Sequence, residues 1–371
     1  MNIRVSILKR ILKVYTILGK TFGTWFSPII TGLGNIFFKI LIFLGSILDY
    51  LLLFSKLKST KIKNPILIVG NPRSGTTFLH HYLTSHRLGT GSQLWQMLFP
   101  SIILQKLIRP FLPMLEKISP TRHHSTAAHK TSLQSVETDD ASILFRYLDG
   151  FFLYGFILSW DSEDLFDWVD PQKRDTSKRD FNWLESMWKR ILISNNQNRI
   201  IGKLFSISAN MPKFLNHFPD AKILYMVRDP LSVIPSGLSL VTGVLDKKFG
   251  FWKLEKQKRD HFIKKLYKAL VELLKRFHYD WTNNNIDKNR VMIVHFDRMM
   301  NDFDGLMSDI IDFTDSEMTD TLRSDIHKTA ESQKAFKSKH KYDLEKFGLT
   351  EQKIKDDCKI IYETFLNINE D

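Results

Sequence analysis

The chain has 371 residues, 43% apolar and 25% charged, enough for one large α/β domain or two modest ones and unlike a disordered, collagen-like or low-complexity chain. A single cysteine, Cys358, excludes an intrachain disulfide and a cysteine-rich zinc site, so a reduced compartment is expected. The formal charge of +13 is concentrated: residues 1–63 carry ten Lys/Arg against one acid, Asp49, leaving only +4 for the rest, a distribution that argues against a nucleic-acid-binding body.

Residues 1–63 are also the most apolar part of the chain. From Ile36 to Phe54 the run IFFKILIFLGSILDYLLLF is about 28 Å long as a helix, nominally enough to cross a bilayer. Lys39 and Asp49 interrupt it, and basic residues flank both sides, so charge asymmetry sets no orientation. No small-residue cleavage site follows a short apolar core, which speaks against a signal peptide. Three readings stay open. The segment is an interfacial, monotopic helix pair drawn to anionic lipid, a transmembrane anchor, or helices folded back as core or dimer contacts. The chain has no Asn-X-Ser/Thr acceptor, which disfavours a lumenal domain. A cytoplasmic protein with peripheral or monotopic membrane association is therefore expected, with residues 1–63 separate from a domain at 64–371.

After Lys63 the pattern is that of an α/β domain with a parallel sheet flanked by helices. Short apolar runs predict buried strands at Ile66–Val69, Arg199–Leu204, Lys222–Val227 and Val291–His295, and the first three lead into helical periodicity. PILIVGNPRSGTTF, from Pro65 to Phe78, predicts a strand, a Gly/Pro/Ser loop and a helix opening near Gly75, a combination that suits an anion. Gly70 and Gly75 have the spacing of a triphosphate-binding loop, but Thr76 stands where that loop has lysine and Arg73 lies inside it. Between Gly89 and Asp180 the chain is irregular and aromatic, with helices expected over Gln93–Phe99 and Thr138–Ser159. Asp229-Pro230 predicts a helix start, with the helix reaching about Val241 and kinked or interrupted at Pro235. Lys253–Trp281 reads as one amphipathic helix.

These residues resemble the sulfotransferases that use 3′-phosphoadenosine 5′-phosphosulfate (PAPS), in particular a divergent, largely microbial branch. PRSGTT is similar to that family's 5′-phosphosulfate loop, which implies donor-binding roles for Arg73, Ser74, Gly75, Thr76 and Thr77. AKILYMVRDPLSVIPSGLSL supplies the strand-end Arg228 and, eight residues on, Ser236, the pair implied to cradle the 3′-phosphate. HFDRMMNDFDGLMSDIIDF resembles a later strand and helix of the family. HKYDLEKFGLTEQKIKDDCKIIYETF resembles its closing element, which implies that His340 and Tyr342, with Lys339 nearby, lie over the nucleotide. Together the resemblance spans roughly residues 64–365. It covers none of the N-terminal segment.

The resemblance implies sulfuryl transfer to a hydroxyl of a small-molecule or lipid acceptor, without a metal, catalysed by positioning and charge stabilisation. The family's base is His or Glu/Asp. Here Ser135-Val136-Glu137-Thr138-Asp139-Asp140 resembles a Pro-Glu-Glu-Asp stretch, making either Glu137 or Asp139 the base, although the same residues suit a helix first turn. His129 is a further candidate, whereas His80 and His81 are expected to pack in a helix. Lys203 begins a departure from a Lys-Ser-Pro-X-His run of relatives and is expected simply to end a strand. An atypical P-loop kinase and an inactive nucleotide-binding or membrane-scaffold protein are the competing functions.

Overall fold

In the computed structural model, residues 3–119, 131–335 and 343–366 are described. In chain order the principal elements are helices α1 (Ile7–Phe22) and α2 (Ser27–Ser59), strand β1 (Ile66–Val69), and helices α3 (Thr76–Ser85), α4 (Ile102–Ile108) and α5 (Ser177–Asn195). Strands β2 (Ile201–Lys203) and β3 (Lys222–Val227), helices α6 (Pro230–Phe249) and α7 (Lys256–Thr282), and strand β4 (Val291–His295) follow. The chain divides into two compact units. One comprises Met1–Ile62, Gly91–Asn198 and Ser239–Ala269, the other Lys63–Thr90, Arg199–Leu238 and Leu270–Asp371.

The second unit holds a four-stranded sheet of order β2-β1-β3-β4, parallel throughout. β1 is buried on both faces, which is why it reads as an unbroken apolar run. Ile68, Leu79, Leu83, Leu224, Phe303 and Ile310 belong to one apolar cluster, and Tyr225 stacks on Phe277 of α7. His80 of α3 packs as expected: it is fully buried, with Nε2 on the Ile201 carbonyl at 2.9 Å. His81 is exposed, so the packing role expected for it does not hold.

In the first unit two charged networks hold the N-terminal helices. Arg10 of α1 is buried and donates to the carbonyls of Val5, Tyr147 and Leu148, while Asp149 takes bidentate bonds from Arg174 at 2.9 and 2.7 Å. Asp49 of α2 is fully buried at the start of α4, accepting from the N–H groups of Ile102 and Ile103 and from Ser101 Oγ, each at 3.0 Å. A carboxylate there satisfies orphan donors and meets the positive end of the helix dipole. Arg190 of α5 completes the network at 3.1 Å.

Two helices differ from expectation. The one expected over Thr138–Ser159 is broken into Asp140–Tyr147 and Phe151–Phe156. Leu148 and Gly150 take φ of 49° and 86°, and the carboxylate of Asp149 between them is drawn to its arginines. α6 passes through Pro235 and continues to Phe249. Proline removes one backbone bond near the helix start, at about 3 kcal/mol, and the buried Val233, Ile234 and Leu238 offset that cost.

Candidate active site

β1 ends at Val69, and the chain turns through Gly70–Ser74 before α3 begins at Thr76. Gly70 takes φ 140° and Gly75 φ 94°. A Cβ on Gly70 would lie 2.7 Å from the Met226 carbonyl oxygen, and one on Gly75 2.6 Å from Met299 Cε, so both turns require glycine for angle and for space. Asn71 is buried and donates to the Leu270 carbonyl at 2.8 Å, while Ser74 Oγ donates to the Asn71 carbonyl at 2.7 Å. These bonds brace the loop. No side chain caps α3, and the positive end of a helix in that position suits an anion.

Arg73 takes φ 80°, a left-handed angle that costs a non-glycine residue on the order of 1–3 kcal/mol. Arg228, just after β3, and Ser236 of α6 hold it there. Arg73 Nε donates to Ser236 Oγ at 3.0 Å, and the Arg73 carbonyl accepts from Arg228 Nη1 at 2.9 Å. Because β1 and β3 pair in parallel, with Val69 opposite Tyr225, both loops leave the sheet at its carboxyl edge. The Arg228 guanidinium lies 3.8 Å from the centre of the Phe296 ring, which follows β4. This cation–π contact fixes the guanidinium plane. The neighbouring Asp229 carboxylate serves the helix start, accepting from Leu231 N–H at 2.9 Å and from the Tyr362 hydroxyl at 2.6 Å. Burial, then that carboxylate, raise the pKa of the hydroxyl.

β2 contributes a third cation. Lys203, its last residue, is buried, and its Nζ donates to Thr77 Oγ1 in the first turn of α3 at 3.2 Å. Arg73, Arg228 and Lys203, with the hydroxyls of Ser236 and Thr77, thus gather at one edge of the sheet. Such an array binds a multiply charged anion through charge-assisted bonds.

The model of the sulfotransferase family matches residues 65–320, well over half of the chain and including both loops. The chain belongs to the sulfotransferase family. Among solved structures, sulfotransferase STF1 from Mycobacterium tuberculosis H37Rv is 16% identical, with 95% of this chain and 90% of that one covered at a TM-score of 0.66. Sulfotransferase STF9 from Mycobacterium avium is also 16% identical, with 85% and 80% covered at a TM-score of 0.65. At that identity the likeness is one of fold. No curated protein sequence matches the chain.

The acidic segment of this sulfotransferase lies in the first unit. Val136 bridges to Gln93, and Glu137 N–H donates to the Ser92 carbonyl at 3.0 Å. Asp139 is fully buried and accepts from Ser92 Oγ and, at 3.0 Å, from Trp188 Nε1. Glu137 is also buried and accepts from Ser135 Oγ at 2.8 Å. The following helix does start here, at Asp140, but the Asp139 side chain does not cap it. His129, Lys339, His340 and Tyr342 lie outside the described residues. The structure brings together Arg73, Thr77, Arg228 and Ser236. It adds Lys203 and Phe296, to which sequence reasoning gave no role in the site. For Lys203 the available signal was an ammonium at the end of a buried strand, which must find a partner.

Proposed function

We propose that this sulfotransferase moves a sulfuryl group from PAPS to a hydroxyl of a lipid or lipid-linked acceptor. The observation that carries the reading is the bond from Arg73 to Ser236, with Arg228 on the Arg73 carbonyl, which joins the two loops into one cationic cluster. Two guanidiniums, an ammonium, two hydroxyls and the start of α3 suit a nucleotide with a phosphate at one end and a phosphosulfate at the other. Sulfotransferases of the family generally use this donor, which supplies an activated sulfate and leaves as adenosine 3′,5′-bisphosphate.

Arg228 and Ser236 hold the 3′-phosphate. The Ser236 hydroxyl accepts from Arg73, which keeps it beside both guanidiniums. Arg73, Lys203, Thr76, Thr77 and the first N–H groups of α3 hold the phosphosulfate end, with Ser74 and Gly75 shaping the loop, and stabilise charge growing on the leaving phosphate. Glu137 takes the proton of the acceptor hydroxyl. Asp139 is the lesser candidate, since Trp188 and Ser92 engage its carboxylate inside the core. The lipid acceptor is favoured by the apolar, basic N-terminal segment.

The test is transfer of labelled sulfate from PAPS into a lipid extract, with wild type beside Arg73→Ala and Glu137→Gln. Labelled lipid formed by wild type and lost in both variants is expected. Nucleotide binding without transfer to any hydroxyl acceptor would instead favour an inactive scaffold. Phosphate transfer from ATP–Mg²⁺ would favour a kinase.

A further inference from the structure

α2 meets the rest of the first unit along a narrow stripe. Phe38 packs edge-on against Phe99 at 4.8 Å, and Gly45 approaches α4 so closely that a Cβ there would lie 2.6 Å from Leu104 Cγ. Asp49 sits at the start of α4. With Ile42, these residues recur every three or four positions and define one side of the helix. The other side is uncovered. Large apolar side chains between Ile29 and Phe54 are exposed, from 40% at Ile47 to 72% at Phe37.

Both internal charges of α2 belong to the covered side. Asp49 is fully buried against Arg190, and Lys39 is half-buried, its pKa lowered by desolvation and then by Arg146 and Arg10. The outward face therefore carries no formal charge, while Lys56, Lys58 and Lys61 stand exposed just beyond it. Exposed apolar residues elsewhere in the unit have the same neighbours. α1 exposes Leu8 and Leu12 near Lys9, and the last turn of α4 and the residues after it expose Leu107 and Phe111 beside Lys106 and Arg109. The acid of that region, Glu116, accepts from the Leu133 N–H at 2.8 Å.

We propose that this surface docks in the plane of an anionic bilayer, with α2 lying in the interface as a monotopic helix and not crossing it. An apolar face bordered by cations complements acyl chains and anionic headgroups together. A second copy would oppose the same positive border to itself. To cross, α2 would have to carry Asp49 into hydrocarbon and deprive Arg190 and the first N–H groups of α4 of their carboxylate. This inference deepens the lipid-acceptor reading proposed above, but it rests on residues of the first unit and is independent of the donor.

The test uses the full chain with phosphatidylcholine vesicles, with and without phosphatidylglycerol. Flotation with the anionic vesicles alone is expected, weakened by salt and lost in Phe37→Glu and Leu51→Glu, whose side chains are exposed. Lys20→Cys, before α2, and Ser59→Cys, at its last residue, then report topology with an impermeant maleimide. Cys358 is buried, and burial pushes its thiol up to about 12, so it does not compete. Both introduced thiols should react from outside without detergent. Protection of either until the vesicles are opened would mean a span and overturn the proposal. Absence of vesicle binding, or binding unchanged by Phe37→Glu, would overturn it as well, and a stable dimer in that case would assign the face to a second copy. Nucleotide binding measured without vesicles reports separately on the proposed function.

Discussion

At the scale of single residues, the site depends on cations whose partners are fixed before any nucleotide arrives. Lys203 is the least obvious of them; its bond to Thr77 links the end of β2 to the first turn of α3. Lys203→Met keeps the length of the side chain and removes the donor. It should lower kcat about 10²-fold, the effect of losing one preorganised donor to developing charge, read from labelled-sulfate turnover. An unchanged kcat would return Lys203 to a purely structural role. His80 allows a prediction about pH. Burial, and then Lys203, lower its pKa from 6.5 to about 3 in the folded chain. The unfolded chain binds a proton there near pH 6.5, so this contribution to stability is whole above that pH and shrinks as the pH falls toward 3. The urea midpoint should therefore fall between pH 7 and pH 5, and fall less in His80→Gln, which cannot titrate. Some slope should persist in the variant, because burial also lowers the pKa values of His278 and His295.

At the scale of elements, Asp49 joins α2, α4 and α5. Asp49→Ala would leave Arg190 and two helix N–H groups without their acceptor, and should destabilise the protein by about 3 kcal/mol, with Asp49→Asn affected less. Urea unfolding measures both, and a wild-type midpoint for Asp49→Ala would show that the network does not hold α2. Which elements were legible follows from where their determinants lie. β1 and β3 match their apolar runs because a strand buried on both faces needs no partner information to be recognised, and the half-buried edge strand β4 still shows a short β-branched and apolar run. The break at Leu148–Gly150 depends on Arg10, Arg174 and Arg179 converging from elsewhere in the chain, and the Asp149-Gly150 pair was its only local sign. α6 outlasts Pro235 because burial of its apolar face outweighs one lost bond. The same division runs through the site. Arg73, Arg228 and Ser236 are recognisable from loop chemistry in a few contiguous residues, whereas the Lys203–Thr77 bond joins positions 126 apart.

At the scale of the whole chain, cations stand out in two separate features: those at the carboxyl edge of the sheet, proposed to serve the nucleotide, and those of residues 1–63, where ten Lys/Arg face one acid and border an apolar surface. The first feature is the central claim, and titration calorimetry in solution tests it most directly. Wild type, Arg228→Ala and Arg73→Ala are each titrated with adenosine 3′,5′-bisphosphate and with ATP–Mg²⁺. The bisphosphate should bind wild type more tightly than ATP–Mg²⁺, and Arg228→Ala should weaken it by about 1.5–3 kcal/mol, roughly ten- to a hundredfold, with a smaller loss in Arg73→Ala. Tighter binding of ATP–Mg²⁺, or bisphosphate affinity unchanged by Arg228→Ala, would contradict the account.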